Sequence, residues 1–182
     1  MEIPNEILFR IAMNLSYQDV LNLCTAEPKF AWLCEDELLW KQKTLQDFGK
    51  FYRYTNMWKY TYEEVYLILY GDSDIVKEYF NNNPDAFNYY MKLAIDESSI
   101  EKTQRLIGIG LGDLSNIITY FNTNGYLEKV NTIPYAKYII EFTKTNPGIL
   151  QDMSNSPNPE VRKYIMDKMF RLGLTLKDID DD

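Results

Sequence analysis

The residues of this chain that could carry out acid–base or metal chemistry are mainly carboxylates and two cysteines, and their spacing marks neither a catalytic group nor a metal site. The sequence of 182 residues contains no histidine, which removes the commonest general base and the commonest transition-metal ligand. Its two cysteines, Cys24 and Cys34, lack the spacing of a zinc-ligand pair. Neighbouring carboxylates occur at positions 63–64, 96–97 and 180–182 without marking an apposed catalytic pair. The residues therefore predict a protein that is not an enzyme.

The glycine-rich run Gly108-Ile-Gly-Leu-Gly112 is the stretch most reminiscent of a phosphate site. Closely spaced glycines let a backbone approach a phosphate, but such loops follow a strand and often precede a Lys-Ser or Lys-Thr pair. The sequence has neither around this run, so we interpret it as a helix end followed by a turn. No cofactor is expected.

Composition narrows the partners and the compartment. A hydrophobic fraction of 46% predicts a sizeable buried core. A formal charge of -8 argues against nucleic acid and against an anionic membrane surface. The longest strongly apolar run, 65–70, is too short to cross a bilayer, and the first residues lack a basic signal-peptide region. Two cysteines suggest no disulfide framework, so we expect an intracellular protein with buried, reduced thiols.

The first fifty residues predict three or four short helices. Pro4 favours an extended entry, after which Ile7, Ile11 and Leu15 recur on one stripe, with Leu8 and Ala12 beside it. A capping box at 16–19 predicts the second helix, and a cap at position 36 and a stop at position 49 bound a later one. A unit this small cannot comfortably bury all its apolar stripes, so either the rest of the chain or a partner must cover them.

The order of these residues resembles an F-box over roughly residues 2 to 49. One departure from the pattern of the family is Ile3, where the family usually has Leu. The motif reads Ile3-Pro4-x-Glu6-Ile7-Leu8-x-x-Ile11-x-x-x-Leu15-Ser16-x-x-Asp19-Val20-Leu21, followed by Cys34-x-x-x-x-Leu39-Trp40 and Asp47-Phe48-Gly49.

The resemblance implies a three-helix module that docks on Skp1, the linker subunit of cullin-RING ubiquitin ligases. Trp32, Leu33 and Trp40 would then be internal core. The residues that the resemblance assigns to the Skp1 interface are Ile3, Pro4, Ile7, Leu8, Ile11 and Leu15, with Val20 and Leu21 as an extension.

The remainder of the chain predicts helices as well. Residues 50–71 carry many aromatics and predict a connecting helix from Thr55 or Asn56 to Tyr70. Residues 72–182 are broken by Asn, Gly and Pro clusters every 15 to 25 residues, which is typical of short helices packed in pairs. Aligning Ile75, Ile100, Ala136 and Val161 gives unequal separations, so this region is an irregular array, with an ankyrin-like repeat as the alternative.

These expectations combine into one hypothesis. The protein is all-α, with an F-box at 1–49 packed through an aromatic helix at 50–71 onto a helical substrate-binding region at 72–182. It would act as the substrate-recruiting adaptor of an SCF-type ligase, binding Skp1 and an unidentified target protein inside a eukaryotic cell. Two alternatives remain: a scaffold or decoy that binds Skp1 without delivering a target, or a helical interaction protein that uses the F-box-like helices only as core.

Overall fold

Helix-breaking residues divide the chain into short helices. A computed structural model describes residues 4–53, 55–111 and 114–174, and every regular element in those ranges is helical. The predicted all-α class is therefore confirmed. The α-helices are α1 (Asn5–Asn14), α2 (Tyr17–Ala26), α3 (Ala31–Glu35), α4 (Glu37–Phe48), α5 (Trp58–Tyr70), α6 (Ser73–Asn82), α7 (Pro84–Asp96), α8 (Ile100–Gly110), α9 (Leu114–Asn124), α10 (Ile133–Phe142), α11 (Pro147–Ser154) and α12 (Pro159–Arg171), with short 3-10 turns at Pro28–Phe30 and Tyr126–Lys129.

The helices form two compact units. Unit 1 comprises Met1–Asp72 and contains α1 to α5, whereas unit 2 comprises Ser73–Asp182 and contains α6 to α12. The aromatic helix α5 belongs to unit 1, where it packs against α4. Each unit buries its own apolar side chains, including Leu33 and Trp40 in unit 1 and Met91 and Ile139 in unit 2.

Local caps in unit 1 begin and end helices at the predicted residues. The side chain of Ser16 accepts a hydrogen bond from the backbone N–H of Asp19 (3.2 Å), so Ser16 is the N-cap of α2 as the predicted box requires, while the Asp19 carboxylate accepts from the Ser16 hydroxyl at 2.6 Å. Asp36 caps α4 by accepting from the N–H groups of Leu38 (2.8 Å) and Leu39 (3.1 Å). Gly49 ends α4 with a positive φ of 63°, a conformation that glycine adopts without strain. These three predictions are confirmed.

Helix α5 begins later than predicted. It starts at Trp58, and its N-cap residue, Met57, makes no capping hydrogen bond through its side chain. The Glu37 carboxylate of α4 instead accepts the backbone N–H of Trp58 at 2.6 Å. The cap is thus supplied by a residue 21 positions away, which is why neither Thr55 nor Asn56 fills the role.

The two cysteines differ from the expectation of reduced thiols. Cys24 of α2 and Cys34 of α3 are joined in a disulfide, with their Cα atoms 5.9 Å apart. The 3-10 turn at Pro28–Phe30 folds α3 back onto α2 and brings the two side chains together. Both residues are buried, as predicted.

Unit 2 packs its helices in neighbouring pairs. The closest packing joins α7 with α8 and α11 with α12, and α6 contacts both α7 and α8. Proline occupies a first-turn position in α7, α10, α11 and α12, where its missing N–H costs no helical hydrogen bond. The predicted breaks at 82–84, 146–148 and 156–159 therefore coincide with helix boundaries.

The four positions that were aligned as a possible repeat do not lie in equivalent environments. Ala136 and Val161 are fully buried, whereas Ile75 is 57% exposed and Ile100 is half-buried. The four positions also do not share one place in their helices: Ile100 is the first residue of α8, Ala136 is the fourth of α10, and the other two are third in theirs. The helices of unit 2 are thus not interchangeable copies at these positions.

Candidate functional site

The first helix presents apolar side chains to solvent. Ile7 is 50% exposed and Ile11 is 42% exposed, and Pro4, which precedes the helix, is exposed too. Positions 7 and 11 are one helical turn apart and so share a face. Leu8, by contrast, is only 5% exposed, and it forms the buried side of α1 together with Ala12. We call Pro4, Ile7 and Ile11 the α1 stripe.

The other residues predicted for the partner interface lie at different depths. Leu15 and Leu21 are half-buried, whereas Leu8 and Val20 belong to the core of unit 1. Ile3 lies outside the described residues. Among the described residues of this set, the α1 stripe is therefore the most exposed part, and Leu8 and Val20 are inaccessible to a partner.

Two side chains of α4 hold the C-terminal end of α1. Lys43 is only 2% exposed, and its Nζ donates to the backbone carbonyl of Leu15 at 2.7 Å. Gln46 donates from Nε2 to the carbonyl of Met13 at 3.0 Å. The last carbonyls of a helix have no partner within it, so these two contacts satisfy groups that would otherwise be orphaned. The α1 stripe is thereby fixed relative to α4.

Lys43 belongs to a connected polar network. Its ammonium pairs with Asp47 one turn along α4, at 2.9 Å. Asp47 also accepts a hydrogen bond from the Tyr62 hydroxyl of α5 at 2.8 Å. Burial, assisted by this hydrogen bond to Asp47, raises the pKa of Tyr62 far above its usual value. The hydroxyl therefore stays protonated and remains a donor, which links α5, α4 and α1.

Tyr17 makes a parallel connection from α2. Its hydroxyl donates to the Glu63 carboxylate of α5 at 3.1 Å, and its ring lies 4.8 Å from the ring of Tyr66. Burial and the neighbouring Glu63 charge raise the pKa of Tyr17 to about 12. The Glu63-Glu64 pair noted in the sequence is thus structural, since Glu64 pairs with Arg53 at 3.2 Å.

Sequence reasoning missed this network, although part of its signal was present. A lysine followed four residues later by an aspartate, as at 43 and 47, is a helical ion-pair spacing. Nothing local indicates that the lysine is buried, because burial depends on α1 and α5 closing over it. The long-range hydrogen bonds to Leu15 and from Tyr62 are therefore found only in the folded chain.

A groove lies on the other flank of α1. It has a volume of about 370 Å³ and is lined by Phe9 and Arg10 of α1, Trp32 of α3 and Leu38 of α4, together with neighbouring polar side chains. Phe9 is two residues from both Ile7 and Ile11, so it points to the opposite side of the helix. Trp32 was expected in the core and is instead half-buried at this groove, whereas Leu33 and Trp40 are fully buried as expected.

Seven aromatic residues of unit 2, a type of residue favoured at binding hot spots, divide into two groups by burial. Tyr90, Phe121 and Tyr135 are buried in the core. Tyr89 is exposed, and Tyr120, Tyr126 and Tyr138 are half-buried. Only this second group offers surface to a partner.

The described residues contain no group of three or more Cys, Asp or Glu side chains placed to hold a metal ion. Across the same residues, no helix is both long and apolar enough to span a membrane. Comparison with protein-family models, curated proteins and solved structures found no match to this chain.

Proposed function

We propose that this protein is a non-enzymatic adaptor of a cullin-RING ubiquitin ligase, which binds Skp1 through unit 1 and a target protein through unit 2. The ordered F-box resemblance suggests the partner. The observation that carries the proposal is the α1 stripe, because the residues that the resemblance assigns to the partner include Ile7 and Ile11, each about half exposed. The contribution of such an adaptor to the reaction is proximity, since other subunits supply the activated ubiquitin.

The energetics of the α1 stripe favour an occupied surface. Fully burying an isoleucine side chain stabilises by roughly 1.5–3 kcal/mol. Ile7 and Ile11 are each about half exposed, so covering both would contribute about 2 kcal/mol to binding. Lys43 and Gln46 anchor the end of α1 before any partner arrives, so little ordering entropy is lost on docking.

The test is a calorimetric titration of the full chain with Skp1. Replacing both exposed residues, Ile7→Ala with Ile11→Ala, should weaken Kd by roughly 30-fold through the lost apolar contact. The matched control is Ile75→Ala, which removes an isoleucine of similar exposure in unit 2 and should leave Kd unchanged. Circular dichroism of all variants should show the wild-type helical signal.

Three results would count against the adaptor. Absence of Skp1 binding by the folded wild-type chain would refute the proposal outright. Equal affinities for the wild type and the double variant would remove the α1 stripe from the interface. A reconstituted ligase that contains the chain and transfers no ubiquitin to any protein captured by unit 2 would instead favour a decoy.

A further inference from the structure

Unit 2 contains a cleft whose inner end is aromatic. This aromatic end lies between α6, α7, the C-terminal end of α8 and the middle of α9. It has a volume of about 240 Å³. Its floor is Phe80 and Phe87, both buried, with Tyr120 at the side. The Phe87 ring lies edge-on to Phe80 (5.2 Å between centroids) and to Tyr120 (5.5 Å), an arrangement that aromatic pairs prefer. We call this end the aromatic pocket.

Two contacts keep the aromatic pocket in shape. The Tyr120 hydroxyl donates to Asn88 Oδ1 at 3.0 Å, and burial keeps that hydroxyl protonated by raising the pKa of Tyr120. Gly110 ends α8 directly against the Phe87 ring, and a Cβ added at this position would overlap the ring. The absence of a side chain at Gly110 therefore allows the backbone of α8 to lie close to the Phe87 ring. This role differs from the approach to a phosphate that closely spaced glycines can also allow.

A polar channel continues from the aromatic pocket along α9. The two cavities share Leu111 and Tyr120, and the channel has a volume of about 300 Å³. Its walls include Asn116, Thr119 and Thr123, which recur at helical spacing on one face of α9. Amide and hydroxyl oxygens accept hydrogen bonds, as the N–H groups of an extended peptide require, while Asn116 and Thr123 already donate to the carbonyls of Leu111 (3.2 Å) and Thr119 (2.8 Å).

The lining of the cleft also carries a positive charge. Lys77 of α6 is the only charged side chain among the described residues that line the aromatic pocket and the channel. It is exposed and forms no ion pair with any other described residue. In a chain of net charge -8, this lysine presents an unneutralised positive group to whatever enters the aromatic pocket.

We propose that the cleft binds an extended peptide segment which places one large apolar side chain in the aromatic pocket and an adjacent carboxylate beside Lys77. The polar channel hydrogen-bonds the peptide backbone that follows. This inference names the class of target for the adaptor and rests on that proposed function for the source of the peptide. Its chemistry, however, is carried by unit 2 alone.

The size and charge of the cleft favour a peptide over the other ligand classes. Small-molecule sites are concave and enclose most of their ligand, whereas here a pocket of about 240 Å³, suited to a single large side chain, continues into a channel of about 300 Å³ along the surface of α9, a shape suited to an extended chain. A nucleic-acid strand would require a basic track along its phosphates, and the channel walls are uncharged.

The experiment is an NMR titration of the ¹⁵N-labelled full chain with three short peptides of alternating Gly and Ser. One carries a central Phe-Glu pair, one Phe-Lys and one Ala-Glu. Phe-Glu should shift the amide signals of Asn88 and Thr119 and bind at least tenfold more tightly than either of the others. Lys77→Glu, a surface change, should reverse the order of Phe-Glu and Phe-Lys.

A pair of glycine variants tests the aromatic pocket itself. Gly110→Ala should push the Phe87 ring into the pocket and lower Phe-Glu affinity at least tenfold. Gly108→Ala lies in the same helix with open space around the added methyl group, so it should bind as the wild type does. No shifts with Phe-Glu at millimolar peptide, or an order of affinities unaltered by Lys77→Glu, would overturn the proposal even if Gly110→Ala failed to fold.

Skp1 binding by the same variants separates this inference from the proposed function. Lys77→Glu changes unit 2 and should leave the Skp1 affinity at its wild-type value. Loss of peptide binding with normal Skp1 binding would discredit the cleft alone. Peptide binding by a chain that never binds Skp1 would keep the cleft and discredit the adaptor.

Discussion

Lys43 is the residue on which the geometry of unit 1 depends most directly. Charged side chains are rarely buried unless their charges are paired. The ammonium of Lys43 forms an ion pair with Asp47 and also donates a hydrogen bond to the carbonyl of Leu15. Removing its ammonium would leave the carbonyl without a donor and Asp47 without its cation, which costs more than the pair itself contributes.

We therefore expect Lys43→Met to lower the free energy of unfolding by about 2–3 kcal/mol, although methionine fills a similar volume. Urea denaturation followed by circular dichroism measures this change. Lys50→Met, at an exposed position one residue after the end of α4, should shift the same curve by less than about 0.5 kcal/mol. Equal effects of the two substitutions would mean that the network does not stabilise unit 1.

Residues that act locally were predictable from the sequence, and those that act across the chain were not. Ser16, Asp36 and Gly49 were identified because each acts within three or four residues of its own position. The Glu37 cap on Trp58 and the pairing of Cys24 with Cys34 depend on how separate helices meet. The residue type of Glu37 gives no indication that it caps Trp58, and the presence of two cysteines does not say whether their side chains meet.

At the scale of elements, α1 carries buried apolar side chains and exposed apolar side chains on adjacent faces. Leu8→Ala should destabilise the protein by about 2–5 kcal/mol, because it opens a cavity in the core of unit 1. Ile11→Ala should change the free energy of unfolding by less than about 1 kcal/mol, since much of this side chain is already in water. Thermal denaturation of the two variants measures the contrast, and equal losses would show that Ile11 is buried in solution.

The sequence predicted the period of α1 but not which stripe faces the core. Ile7, Ile11 and Leu15 form one apolar series, and Leu8 and Ala12 form a second beside it. Both series have the spacing of a buried face. The core selects Leu8 and Ala12, while Lys43 and Gln46 anchor the end of the helix. Among the residues that the resemblance assigns to an interface, Leu8 and Val20 therefore lie in the core of unit 1, whereas Ile7 is exposed.

At the scale of the whole molecule, the chain is divided between two cores. Unit 2 buries apolar residues from all seven of its helices, including Ile117 of α9 and Ile165 of α12. We expect a fragment of residues 73–182 to fold alone, with a helical circular dichroism spectrum and a single cooperative urea transition. The same fragment with Leu150→Ala, a fully buried position, should unfold at lower urea. A broad, featureless transition in the unsubstituted fragment would contradict an independent core.

The all-α class was predictable for the whole chain, since Asn, Gly and Pro clusters interrupt it at intervals suited to short helices. The sequence was a weaker guide to whether the helices of unit 2 are equivalent to one another. Val161 and Ile75 hold the same position within their helices, yet one is buried and the other faces water. Sequence similarity at helix starts does not specify which neighbours each helix will meet.

The burial of Lys43 also makes it a built-in reporter for chemical footprinting. Acylating reagents modify lysines that solvent reaches, and at 2% exposure Lys43 is shielded from them in the folded chain. Its acylation therefore requires unit 1 to open, at least locally. Exposed lysines such as Lys50 and Lys163 react in the native state and provide an internal reference in the same digest. Mass spectrometry of a single lysine-containing peptide thus follows the opening of the α1–α4 contact inside a mixture, without a purified protein or an added label on the stripe.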